Sequence, residues 1–226
     1  RKNILRKNIN SYFKRFESVS VLDEEFDLKQ SHRELLVSSR IGYIQHIDYA
    51  EILERCEENK LTISINVSPG DFTHKDQTLA EVYGEKKISK KEIDHIKREF
   101  VVGSERSTNQ DFGFGANLLV EVAVRALSPG VNDPYTACEC IDQLEVSLIL
   151  LSELSTPQNL IKDNKGVIRI KRPKFNYEEF VTTLLEPLVF YSSKDPLATR
   201  RLAASLDLLA EQTNHRQTFQ KIQQSL

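Results

Sequence analysis

The hydrophobic period changes at Gly84, and that change constrains the fold more than any other feature. Before it, Leu61, Ile63, Ile65 and Val67 alternate with Thr62, Ser64 and Asn66. Successive side chains of a strand face opposite ways, so this pattern buries one face and wets the other. Thr78–Tyr83 reads as another strand, and Ser68-Pro69-Gly70-Asp71 as a turn, because Pro presets φ and Gly accepts positive φ. Residues 34–47 (ELLVSSRIGYIQHI) add two short strands. Asp48 then caps a short helix with Ile52, Leu53 and Cys56 on its apolar side. After Gly84 the spacing becomes helical. Ser89 with Glu92 makes a capping-box pattern, Ile93, Ile96 and Phe100 share a face, and Gly103 sits where such a helix would end. An apolar helix is expected over Ala116–Leu127, and a second from Asp133-Pro134 to about Leu154. Beyond a turn at Asp163–Gly166, one short strand is expected at Val167–Lys171. Helices fill the rest, with Pro187 kinking or dividing one and Asp195-Pro196 starting another. The expected fold is α+β. A small, barrel-like β-rich unit (34–84) precedes a mainly helical unit (85–226), with residues 1–33 as amphipathic connector helix and linker.

Composition narrows the function. At 226 residues the chain can bury roughly 70% of its unfolded surface, so its core needs no disulfide or metal. The longest run without charge is ten residues, Leu61–Gly70, against the roughly 20 apolar residues of a membrane-spanning helix. Net charge is -2, so no global field favours nucleic acid, and none is expected as a partner. The charge is uneven: Arg1, Lys2, Arg6, Lys7, Lys14 and Arg15 precede the first acid, Glu17. Between them Ile4, Leu5, Ile9, Tyr12, Phe13 and Phe16 fall near helical spacing. That helix either packs on its own domain or lies beside a membrane, its cations drawn to anionic headgroups. Three cysteines fit a reducing compartment better than a disulfide framework. The chain contains no methionine and is therefore expected to be a piece of a longer translated protein.

The densest polar segment is Glu105-Arg106-Ser107-Thr108-Asn109-Gln110-Asp111. The following Phe112-Gly113-Phe114-Gly115-Ala116 lacks the lysine and hydroxyl of a phosphate loop, and Leu118 occupies the third glycine position of a dinucleotide fingerprint. A second polar knot holds Arg125, Ser128, Asn132, Asp133 and Thr136. Its plain reading is a turn and a helix cap. Its alternative is a polar site shared with Arg106, Gln110 and Asp111, with Arg106 paired to Asp111 or Asp133. No metal site is expected. Cys138 and Cys140 point about 200° apart on a helix, and the five histidines show no ligand spacing. No nucleophile elbow occurs, no residue stands out as catalytic, and no cofactor is implied, so the case for an enzyme is weak.

The string R-S-T-N-Q-D-F-G-F-G from Arg106, with A-V-R-A-L-S-P-G-V-N-D-P-Y-T-A-C-E-C-I-D up to Asp142, is distinctive. With S-R-I-G-Y-I-Q-H-I-D (Ser39–Asp48) and P-G-D-F (Pro69–Phe72), it resembles a family of bacterial predicted membrane proteins known as a domain of unknown function. The resemblance runs from about Ser38 to Leu209. Members carry transmembrane helices first and a soluble domain like this one after them. The resemblance therefore implies the cytoplasmic part of an inner-membrane protein, attached through segments outside this chain. Its characteristic positions here are Arg106, Thr108, Gln110, Asp111, Arg125, Ser128, Pro129, Gly130, Asn132, Asp133, Pro134 and Thr136. Many relatives place threonine directly after the arginine, whereas this chain inserts Ser107. Separately, Gly70–Val82 has the cadence of biotinyl- and lipoyl-type barrels without their Met-Lys dipeptide, so neither group is expected.

Three functions follow as expectations. The first is a non-enzymatic domain that assembles or regulates the membrane part and associates with copies of itself. The second is a sensor of a small molecule or anion in a polar pocket around Arg106, Asp111 and Asn132. The third is a hydrolase, which would need Asp111 or Asp133 in an open cleft near a nucleophile or water.

Overall fold

A computed structural model describes residues 31–108, 110–153 and 159–226. The expected helix over residues 3–17 lies outside them. In chain order the elements are β1 (His32–Val37), β2 (Gly42–Ile47), α1 (Tyr49–Asn59), β3 (Leu61–Ile65), β4 (Phe72–Thr73), β5 (Thr78–Gly84), α2 (Lys90–Arg98), β6 (Phe100–Gly103), α3 (Phe112–Ala126), α4 (Pro134–Glu153), β7 (Leu160–Lys162), β8 (Ile168–Lys171), α5 (Tyr177–Ser192), α6 (Pro196–Gln212) and α7 (Arg216–Gln223). They divide into a sheet unit, ending at Asp111 but regaining residues up to Phe175, and a helical unit built of α3–α7.

The α+β class stands, with one correction: the sheet unit does not close into a barrel. It holds an open five-stranded sheet, β1-β5-β3-β8-β7, and a separate three-stranded sheet, β4-β2-β6. The β3–β8 pair is parallel, with Ile63 beside Ile170, so the β7–β8 hairpin extends a sheet begun about a hundred residues earlier. Leu36, Ile44, Ile47, Ile52, Ile63 and Ile170 fill the core of this unit. Period two puts Ile63 there, the register shift between Ile44 and His46 lets both Ile44 and Ile47 face inward, and α1 adds Ile52 and Cys56 from one face.

Two further expectations change. Phe100 does not continue the preceding helix. α2 ends at Arg98, and Phe100–Gly103 forms β6 on β2, with Ile47 opposite Phe100 and Tyr43 opposite Gly103. An aromatic residue and two valines suit a strand, and pairing with β2 overrides the local helical spacing. Of the two expected effects of Pro187, division does not occur, since α5 runs from Tyr177 to Ser192 through it. The proline deprives the Thr183 carbonyl of its usual donor there. Among the described residues after Gly84 there are three strands, β6, β7 and β8, where one was expected.

In the helical unit, α4 supplies Ala137, Ile141, Leu144 and Leu148 to the core, and α6 supplies Leu202, Leu206 and Leu209. Arg201 of α6 reaches back to α4, where it pairs with Asp142 and with Glu145 at 3.1 Å. The Tyr177 hydroxyl donates to the Leu148 carbonyl at 3.0 Å, tying α5 to α4. Asp195 caps α6 ahead of Pro196 by accepting from the Leu197 and Ala198 amides. None of the described helices is long and apolar enough to cross a membrane.

Candidate functional site

The polar segment after β6 folds back on β2 and is held there by its side chains. The Gln110 amide meets both backbone groups of Ile47. The Ile47 N–H donates to Oε1 at 2.9 Å, and Nε2 donates to the Ile47 carbonyl at 3.1 Å. One residue type thus does what a neighbouring strand would do, because a primary amide carries both a donor and an acceptor. Earlier on β2, Gln45 Nε2 donates to the Glu105 carbonyl at 2.6 Å. Arg106 closes the loop on itself. Its Nε and Nη2 donate to Asp111 Oδ2 at 2.7 and 2.6 Å, with the Asp111 side chain 7% exposed and that of Arg106 29%. An almost buried carboxylate needs such a charge-assisted partner.

Asp111 also lies against the Pro-Gly-Asp-Phe turn. Gly70 has φ +99°, and a Cβ there would come 2.4 Å from Asp111 Oδ2. The turn is itself fixed to β2: Gly70 N–H donates to the Ile44 carbonyl, and Ile44 N–H to the Asp71 carbonyl, both at 2.8 Å. Glycine is therefore required twice, by backbone conformation and by the approach of the carboxylate. Two motif pieces separated by about 40 residues, P-G-D-F and R-S-T-N-Q-D, thus meet on one strand. Sequence reading singles out both without placing them together, and it misses Gln45 and the Ile47 backbone.

The second knot forms within the helical unit, at the corner between α3 and α4. Ser128 Oγ donates to the Arg125 carbonyl at 2.7 Å, and Asn132 N–H to the Ser128 carbonyl at 2.9 Å. Asn132 has φ +50°, a left-handed conformation that asparagine tolerates better than most residues. Asp133 N–H donates to the Ala126 carbonyl at 2.8 Å, which closes the corner. The Asp133 carboxylate accepts from Thr136 Oγ1 at 2.6 Å and from Thr136 N–H at 3.1 Å. The Thr136 hydroxyl first, and its backbone amide next, hold the Asp133 carboxyl below the usual carboxylate range. The Arg125 side chain is exposed and has no ion pair among the described residues.

The structure thus makes two polar assemblies, one in each unit. Arg106, Gln110 and Asp111 lie together in the sheet unit. Arg125, Ser128, Asn132, Asp133 and Thr136 lie together in the helical unit. In both, the acid is already engaged: Asp111 by a guanidinium, Asp133 by the hydroxyl and amide of a helix start. The three thiols are shifted toward their protonated form. Burial pushes the Cys56 thiol up to about 12 and raises those of Cys138 and Cys140, and the thiolate is the reactive form. Among the described residues no three His, Cys, Asp or Glu gather where they could hold a metal ion.

Residues 4–207 match the family described as predicted membrane protein, DUF2254. The chain belongs to that family. Two relatives are an uncharacterized protein of Mycobacterium bovis and one of Mycobacterium tuberculosis. Each is 24% identical over 184 residues, which cover 78% of this chain and 34% of the relative. The chain therefore spans about a third of the length of the curated relatives it matches. No solved structure matches it.

Proposed function

We propose that this chain is the cytoplasmic part of a bacterial inner-membrane protein, and that it assembles or regulates the membrane part without catalysing a reaction of its own. One observation carries this reading: the motif acids are engaged in holding the fold. Asp111 is buried in an ion pair with Arg106, and Asp133 starts a helix. Acid or base catalysis at either residue would have to break these bonds first. An anion sensor at Arg106 would likewise need a cation that Asp111 does not already neutralise. Membership of a predicted membrane protein family supplies the membrane link. Self-association belongs to the same reading, since attached domains commonly build closed symmetric assemblies. Leu118 and Val122, one turn apart on α3, stay exposed and are compatible with it.

Reporter fusions to the end of the full-length gene product test the placement. A fluorescent protein that matures, with a periplasmic phosphatase that stays inactive, is the expected pair of results. An active phosphatase overturns the cytoplasmic assignment. Light scattering tests assembly, and a strictly monomeric mass at high concentration overturns that part.

A further inference from the structure

The sheet unit has a second polar region, and its charges are arranged differently. The loop from β5 to α2 and the first turn of α2 read Glu85-Lys86-Lys87-Ile88-Ser89-Lys90-Lys91, with four lysines in six positions. Ile88 is 5% exposed and belongs to the hydrophobic core, so it pins the loop, while the preceding Lys86 and Lys87 stay exposed. Lys60 ends α1 nearby with φ 53° and ψ 41°. A lysine thus holds a left-handed position where glycine would be the relaxed choice. Lys60, Lys86 and Lys87 line a cavity of about 290 Å³ together with Asn59. An adjoining cavity of about 280 Å³ shares Asn59, Leu61 and Glu92 and adds Lys91, Arg55 and His95.

The acids around these cavities are Glu58, Glu85 and Glu92. Glu92 is engaged, because its carboxylate accepts the Ser89 N–H at 2.8 Å in the capping box. Arg55 is engaged as well, with Nη2 on Glu51 at 2.6 Å and Nη1 against His95 at 3.2 Å. Lys60, Lys86, Lys87 and Lys91 have no ion pair among the described residues. They converge on concave space and outnumber the two acids still available there, Glu58 and Glu85. Ser89 and Glu92 already cap α2, so the helix end contributes little, and the attraction comes from the ammonium groups.

We propose that the cleft between the end of α1 and the β5–α2 loop binds a phosphate-bearing anion through Lys60, Lys86, Lys87 and Lys91. Phosphate fits because ammonium groups act on it as point charges without a fixed fork geometry. The cavities are also large enough for one or two phosphoryl groups. The anion is either a free phosphate compound or a phospholipid headgroup. This inference rests on the sheet unit alone and stands whether or not the membrane reading holds.

Two probes separate the sources: pyrophosphate in calorimetry, and vesicles with or without phosphatidylglycerol in co-sedimentation. The K86E/K87E chain is compared with K174E/K221E, which reverses two exposed lysines elsewhere and controls for general charge. The expected result is a loss of about tenfold or more in affinity for at least one probe in K86E/K87E, with the control within about twofold of the parent. Loss for pyrophosphate alone assigns a free phosphate compound, and loss for vesicles assigns a headgroup. Equal loss in both variants, or no binding of either probe by the parent, overturns the proposal. Backbone amide shifts on adding pyrophosphate give an independent reading. They should centre on Lys60, Lys86 and Lys87, and shifts confined to other regions also overturn it.

Discussion

The two polar assemblies of the family motif handle an acid in opposite surroundings. Asp111 is buried, and a guanidinium compensates it. Asp133 is half-exposed, and a helix start compensates it. The lesson lies in what removal would leave behind. Deleting the guanidinium beside Asp111 takes the counter-charge from an acid held away from water, whereas deleting the hydroxyl beside Asp133 returns a charge to water. Residues equally conspicuous in the sequence should therefore differ widely in energetic weight.

The largest effect is expected from Arg106→Ala, which takes the guanidinium away from the nearly buried Asp111 carboxylate and should cost about 3 kcal/mol of stability in urea unfolding. A loss under about 1 kcal/mol would put Asp111 in the same class as an exposed pair. Gly70→Ala comes next, at about 2–3 kcal/mol, because a Cβ must fit both a positive φ and the carboxylate 2.4 Å away. Gln110→Ala should cost about 2 kcal/mol, since Ile47 is fully buried and both its backbone groups lose their partner. Protection of the Ile47 amide against hydrogen exchange should fall in that variant.

A third acid extends the comparison through pH. Asp163 sits in the β7–β8 turn with its side chain fully buried, and its Oδ2 accepts from Arg169 Nε at 2.8 Å. Burial alone would raise its carboxyl. Hydrogen bonds from Arg169 and from the Val167 and Lys165 amides outweigh that and hold it below the ordinary 3.8. A lowered folded pKa means the carboxylate's contribution is complete above the unfolded value and disappears as pH falls through the folded one. Asp163→Asn should therefore flatten the acid limb of stability below about pH 4. A limb as steep as the parent's would contradict the assignment. The smallest effect is expected at Asp133. Its carboxyl is also lowered, with the same sign, but Asp133→Asn keeps a cap acceptor and should leave the neutral-pH unfolding midpoint nearly unchanged.

Much of this was legible locally. The period-two run at Leu61–Val67, the capping box at Ser89 and Glu92, and the Asp-Pro helix starts at Asp133 and Asp195 each announce their structure within a few residues. What stayed hidden needed distant partners. Phe100–Gly103 carries a helical cue until β2 is available to pair with it. The β7–β8 hairpin gives no local sign that Ile170 will lie beside Ile63. The motif residues were visible, but their division between a clasp on β2 and a corner between α3 and α4 depends on which backbone groups each reaches. The lysine cleft had a signal in the charge run from Lys86 to Lys91. Lys60 and the concavity that joins it to that run come only from the fold.

The central claim, that the motif's charged pair holds the fold, is tested most directly by a double-mutant cycle. Unfolding free energies of the parent, Arg106→Ala, Asp111→Ala and the double variant would be measured in urea. The expected coupling is about 2 kcal/mol, with the double variant no less stable than Arg106→Ala alone, because removing the nearly buried carboxylate relieves the penalty. Additive losses, with coupling near zero, would contradict the account and free both residues for another role.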